Sequence, residues 1–281
     1  MNLVTEKPQA SAAAIARLGE LPSELGRSER GRAMKQVSNR RHKGRIKLRV
    51  TRSKTTVKRS RGRPNKKRGG QVMREHILDA AEELFAEHGF DGVTIRQVTR
   101  KASVDVALAH YYFGTKKGLF DAVFLRRAAV VNEARLKAIN DYQVNPGPDG
   151  ATIEGFIHAF LDPVIERWAK GGPGWKNYLA IVAQVNNTPK WGGETMARYF
   201  DPVIHRLIDA LRGIMHGAHD IDLYWSYQFL SGALTLTFAE TGRIERLSSG
   251  LCHSSDYEAV RGRMAPFIAA GFRRICSSKH H

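Results

Sequence analysis

The sequence has only two cysteines, Cys252 and Cys276, and they stand 24 residues apart. That excludes a disulfide framework and a CxxC zinc module, and it is the usage expected of reduced thiols in a cytoplasm. No glycine-rich phosphate loop, GxSxG elbow or HExxH helix occurs, so the common catalytic machineries have no carrier and no catalytic residue is assigned. His216 and His219 have a spacing that could reach one metal, but Gly217 and Asp220 mark a helix end there. No cysteine or carboxylate cluster stands beside them, so neither a metal nor a cofactor is assigned. Near the N-terminus there is no apolar stretch of signal-peptide type. The 17 uncharged residues from Leu223 to Ala239 are too few, and too rich in Ser, Thr and Gln, for a membrane span. Strand-like alternation is lacking at any length, which points to an all-α fold.

Acidic residues are missing from one stretch in particular. The formal charge is +18, but residues 1–70 carry 21 Lys and Arg against four Glu, whereas residues 71–281 carry 24 against 23. From Arg30 to Arg68 there are 18 basic residues and no acidic one. Self-repulsion and the shortage of apolar side chains predict a disordered basic tail over 1–70. Within it, Arg61-Gly62-Arg63-Pro64 resembles the core of an AT-hook, a short segment that lies in the narrow minor groove of A·T-rich DNA. Gly62 lets the backbone approach the groove floor, Pro64 keeps it extended, and Arg61 and Arg63 favour the negative potential there. A plain polybasic tail attracted to phosphates is the other reading. Met34 and Met73 are alternative starts, the second falling just before the first helix. Glu6, Glu20, Glu24 and Glu29 disfavour a mitochondrial transit peptide.

What the chain does have is concentrated between Thr94 and Phe113, TIRQVTRKASVDVALAHYYF. Thr94 and Gln97 form a capping-box pattern opening a helix whose buried side is Ile95 and Val98. The periodicity breaks at Ala102-Ser103-Val104, and Asp105 is placed to cap a second helix, Val106 to Tyr112. Upstream, Ile77, Ala80, Ala81, Leu84 and Phe85 form one apolar helical stripe, ended by Gly89. Two short helices and a tight turn held by a third make a helix-turn-helix, whose second helix enters the DNA major groove.

At these residues the chain resembles the TetR family of bacterial transcription regulators. Ile77 to Phe90 is similar to that family's first helix, and Tyr112-Phe113-Gly114-Thr115-Lys116 to its closing signature. The resemblance implies DNA contacts from Thr94 and Ile95 on the positioning helix. It implies others from Asp105 and Val106 at the start of the recognition helix and from Ala107, Leu108, His110 and Tyr111 along it. Tyr112 and Lys116 would meet phosphates. Physics agrees for Lys116, because a helix N-terminus with an ammonium is an anion site. Two positions depart from the family: Ser103 replaces the usual turn glycine, and His110 stands where an aromatic is common. In the family a fourth helix, here from Lys116, links the DNA head to the body.

The expected domains are the tail 1–70, a DNA-binding domain 71–131 with its helix-turn-helix at 94–113, and a helical effector-binding and dimerisation domain 132–281. Asn145-Pro146-Gly147-Pro148-Asp149-Gly150 reads as a loop. Thr152 is placed to cap a helix to about Lys170 that Pro163 is expected to kink. Apolar and aromatic side chains on the body helices, Phe156, Phe160, Trp168, Trp175, Tyr178, Val182 and Trp225, are candidates for a ligand cavity. Leu230 and Leu234, with Val260, Met264, Phe267, Ile268 and Phe272 on the last helix, are candidates for a four-helix dimer interface. The C-terminal run from Asp222-Leu223-Tyr224-Trp225 to Ala270-Gly271-Phe272 resembles a subgroup that includes fatty-acid-responsive regulators of β-oxidation, which implies an acyl chain or acyl-CoA as ligand.

The expected protein is a homodimeric repressor in a bacterial cytoplasm, associated with the nucleoid when bound to DNA. It would bind a near-palindromic double-stranded operator and leave it when a small apolar effector binds. An architectural binder of A·T-rich DNA, driven by the tail, is the alternative.

Overall fold

The computed structural model describes residues 66–188 and 191–277, with side chains from residue 69 onward. Ten helices and no strand occur among them: α1 (Lys66–His88), α2 (Ile95–Lys101), α3 (Val106–Phe113), α4 (Lys116–Val144), α5 (Ile153–Lys170), α6 (Pro173–Asn186), α7 (Gly192–Ile214), α8 (Asp220–Phe238), α9 (Arg243–Leu247) and α10 (Tyr257–Cys276). Local chemistry accounts for most of the helix starts. At α2 the capping box is complete: Gln97 N–H donates to Thr94 Oγ1 at 3.3 Å, and Thr94 N–H donates to Gln97 Oε1 at 2.7 Å. Asp105, Thr115 and Thr152 each accept a backbone N–H at the starts of α3, α4 and α5. Pro163 lies inside α5, which runs on through it to Lys170.

One expected boundary shifts. The first helix begins at Lys66, inside the segment assigned to the tail, and Gly70 within it accepts a hydrogen bond from Tyr112 Oη at 2.9 Å. A partner on α3 thus holds the early turns that composition alone had left unfolded. The division at residue 131 falls within α4, a single helix of 29 residues that head and body share, in keeping with the linking role expected of the fourth helix.

The core is continuous across that division. In the head, Phe120 of α4 meets Phe85 of α1 edge-on at 5.2 Å. One turn on, Phe124 packs on Tyr178 at 5.7 Å and Phe200 at 6.0 Å in the body. Burying such rings stabilises by roughly 1.5–3 kcal/mol each.

The expected interface residues on α8 and α10 divide. Leu230, Leu234, Ile268 and Phe272 are buried within the single chain, which corrects their assignment to a surface between two chains. Helix α8 is apolar nearly all round, and burial has selected the side that α6 and α10 cover. The uncovered side carries Ile221, Trp225, Phe229 and Leu236, and α10 exposes Phe267 beside half-buried Val260 and Met264.

Candidate nucleic-acid interface and internal cavity

The α2–α3 pair presents its polar and small side chains outward. Thr94, Asp105, Ala107 and His110 are exposed, and Tyr111 is 79% exposed. His110 Nδ1 lies 2.7 Å from the Gly114 carbonyl oxygen, a contact that fixes the ring over the end of α3. Ser103, at the turn, has φ 55°, the left-handed conformation that the missing glycine would adopt without strain.

Other expected contact residues are engaged within the chain. Ile95, Val106 and Leu108 are half-buried, and Ile95 and Leu108 pack on the core, so their side chains hold α2 and α3 in place. The Tyr112 hydroxyl, expected on a phosphate, donates to Gly70. The Lys116 ammonium, also expected on a phosphate, lies 4.4 Å from the centre of the Phe90 ring. In both cases a neighbour brought close by tertiary packing, invisible in local sequence, satisfies the group. Arg96 and Arg100, exposed one turn apart on α2, were passed over, although their charge and i, i+4 spacing were the available signal. Arg61 and Arg63 lie outside the described residues.

Polar contacts add to the shared core in fastening the head to the body. Glu82 of α1 is only 2% exposed. It accepts from Arg127 Nε at 2.6 Å and Nη2 at 2.8 Å, and from Arg126 Nη2 at 2.7 Å. Partial burial works against the charge on Arg126, but its bonds to Glu82 and Asp79 outweigh it and raise its pKa. The Arg127 guanidinium also stacks over Trp175 of α6, 5.1 Å from the ring centre. Farther along α6, Gln184 Nε2 donates to the Ala86 carbonyl at 2.7 Å.

Beneath these joints lies a cavity of about 40 Å³ between α4, α5, α6, α7 and α8. Of the seven candidates, Phe160, Tyr178 and Val182 line it. The other four candidates do not. Phe156 packs on Tyr142, and Trp168 is buried with its Nε1 donating to Glu240 at 2.6 Å. Trp175 sits between Arg127 and Arg167, and Trp225 is 55% exposed, stacked on Phe229. Aromatic identity did not reveal which side of each helix faced the gap. Sequence reasoning also missed Arg135, which lines the cavity. Among the described residues no group of three or more His, Cys, Asp or Glu is placed to hold a metal, and no helix is long and apolar enough to cross a membrane.

A helix-turn-helix head on an all-helical body with an internal cavity defines a class of bacterial regulatory protein. Residues 77–123 match the family model described as bacterial regulatory proteins, tetR family, and residues 158–271 match a Tetracyclin repressor-like C-terminal domain. Together they span more than half of the chain, which belongs to the TetR family. Among curated relatives, the biofilm operon icaADBC HTH-type negative transcriptional regulator IcaR of Staphylococcus aureus (strain Newman) is 23% identical over 124 residues, 42% of this chain and 56% of IcaR. The HTH-type transcriptional repressor NicS of Pseudomonas putida is 38% identical over 64 residues, 23% of this chain and 30% of NicS. The chain thus matches little more than half of the length of one relative and less than a third of the other. In fold it is similar to the Bacillus subtilis transcriptional regulator FadR, solved in complex with stearoyl-CoA. The TM-score is 0.52 at 15% identity, over 70% of this chain and 98% of FadR.

Proposed function

We propose that this protein is a ligand-responsive transcriptional repressor that binds an operator as a homodimer in the bacterial cytoplasm. The observation that carries the reading is the continuity from α3, tied to α1 by Tyr112 and Gly70, through the Glu82–Arg127 joint between α1 and α4, to a cavity lined by the same helix α4. The names of IcaR and NicS, a negative regulator and a repressor, support the sign of control.

In this reading Ala107, His110 and Tyr111 meet base edges, while Thr94, Arg96, Arg100 and, once drawn off Phe90, Lys116 meet phosphates. Asp105 caps the reading helix, and Tyr112 holds it against α1. Phosphate contacts set register and make affinity salt-dependent; the α3 side chains select sequence. The outward stripe Ile221, Trp225, Phe229 and Leu236 on α8, with Val260, Met264 and Phe267 on α10, joins two copies in an isologous four-helix contact. That pairing places two reading helices on one near-palindrome, about 34 Å apart or a small multiple of it. An effector that favours a body conformation with wrongly spaced heads lowers operator affinity by no more than its preference for that state.

Footprinting of the full chain on the DNA upstream of its own gene tests this. Two protected half-sites that resist a scrambled competitor are expected. Uniform coverage of A·T-rich sequence would instead favour an architectural binder led by the basic tail.

A further inference from the structure

The cavity holds a cation without an anion. Arg135 is 5% exposed, and its Nε donates to the Phe160 carbonyl at 2.9 Å. Its guanidinium lies 4.1 Å from the centre of the Phe160 ring. Among the described residues no carboxylate pairs with it, whereas Arg126, Arg127, Arg212 and Arg261 each meet one. On the same wall the Tyr178 hydroxyl is buried and makes no hydrogen bond. A charge and a hydroxyl taken out of water without full partners both cost stability. Burial, joined by the charge of Arg167 and opposed by Tyr178 and Tyr227, pushes Arg135 down to about 10, and burial raises Tyr178. Val131, Val164, Leu179 and Phe200 give the wall an apolar side, and Asn186, Tyr227, Ser231 and Thr235 add polar groups to it.

We propose that this cavity takes a small monocarboxylate with an apolar body, bound through its carboxylate by Arg135 and Tyr178. The proposal rests on the regulator reading and names the chemical class of its effector. One guanidinium balances one negative charge, and a carboxylate matches its fork of donors. A thioester has no such charge, so the free acid is preferred over its coenzyme A derivative. At about 40 Å³ the cavity admits water-sized occupants only, so the acid must part the helices around it. Arg135 lies eight residues along α4 from Arg127, about two helical turns. Helix α4 therefore carries both the anion contact and the grip on Glu82.

The test uses the full chain and two acid–alcohol pairs, octanoate with 1-octanol and 4-phenylbutyrate with 4-phenyl-1-butanol, with octanoyl-CoA beside them. At least one acid is expected to raise Tm and to bind with a Kd at least tenfold below its alcohol and below octanoyl-CoA. Arg135→Met should reduce that preference to less than twofold, and Tyr178→Phe should weaken the acid while leaving the alcohol unchanged. Equal binding of acid and alcohol overturns the proposal, as does an acid that binds Arg135→Met undiminished or the failure of both acids to bind at millimolar concentration. If Arg135→Met does not fold, the wild-type comparison decides alone. Release of the upstream DNA separates the two readings. Arg135-dependent binding of an acid that leaves DNA affinity unchanged keeps the anion site and overturns the effector role. Release by an alcohol as readily as by its acid keeps the effector role and overturns the anion site.

Discussion

Arg127 holds Glu82 with two hydrogen bonds, Nε to Oε2 at 2.6 Å and Nη2 to Oε1 at 2.8 Å, joining α4 to α1 under the start of α6. Gly174 makes the joint possible. A Cβ at that position would lie 2.0 Å from Arg127 Nη2 and 2.7 Å from Glu82 Oε1. Both atoms are fixed by each other and cannot swing away without breaking the pair.

Gly174→Ala is therefore expected to open this joint. Overpacking and loss of a largely buried pair should lower stability by about 1–3 kcal/mol. Denaturant unfolding measures that change, and operator binding with and without effector should show the coupling weakened. An unchanged midpoint would mean that the joint relaxes freely.

The Ser103 turn offers the opposite sign. A non-glycine residue in the left-handed region costs about 1–2 kcal/mol, part of which glycine returns through the entropy of the unfolded chain. Ser103→Gly is expected to raise stability by about 0.5–1 kcal/mol, read as a higher Tm, with operator affinity retained.

The Thr94–Gln97 box and the Asp105 and Thr152 caps were legible in sequence because they are local, whereas Ser103 stood out only through the family resemblance. The face of α8 was not legible. Its 17 uncharged residues have no polar side, so periodicity could not separate inward Leu230 and Leu234 from outward Trp225 and Phe229. Arg135 escaped for another reason: a missing partner is a property of the folded neighbourhood, and no spacing encodes it. Lys116 and Tyr112 were placed on the right elements, but Phe90 and Gly70, which engage them, come from distant turns.

Asp162 ties α5 to α10 by accepting from Arg261 Nε at 3.1 Å and Nη2 at 2.9 Å. Burial opposes its charge, but the bonds from Arg261 and His158 prevail and hold its pKa below the usual carboxylate value. A depressed carboxylate stabilises the fold above its unfolded pKa of about 4, and that contribution is lost as pH falls through the lower folded value. Asp162→Asn should cost about 0.5–1 kcal/mol at pH 7, the pair being partly screened by solvent. It should also flatten the acid limb of the stability–pH curve, which urea titrations from pH 7 to 3 would reveal.

Phe267 is 73% exposed on the outward stripe of α10. A large exposed apolar side chain beside others marks a contact surface. Phe267→Glu should convert dimer to monomer in light scattering while leaving the helical signal intact, and should weaken operator binding by removing the second head. A variant that stays dimeric would place the interface elsewhere, and a monomeric wild-type protein would overturn the dimer itself.

Whether α3 reads sequence can be decided with Tyr111→Ala, because Tyr111 packs on little but Tyr112. Affinities of the full-length wild type and variant should be measured at fixed salt on the upstream DNA and on a scrambled duplex. A loss of about 1–3 kcal/mol on the operator, with binding to the scrambled duplex unchanged, is the predicted result. Equal losses on both duplexes, or none on either, would contradict the assignment of α3 as the reading helix.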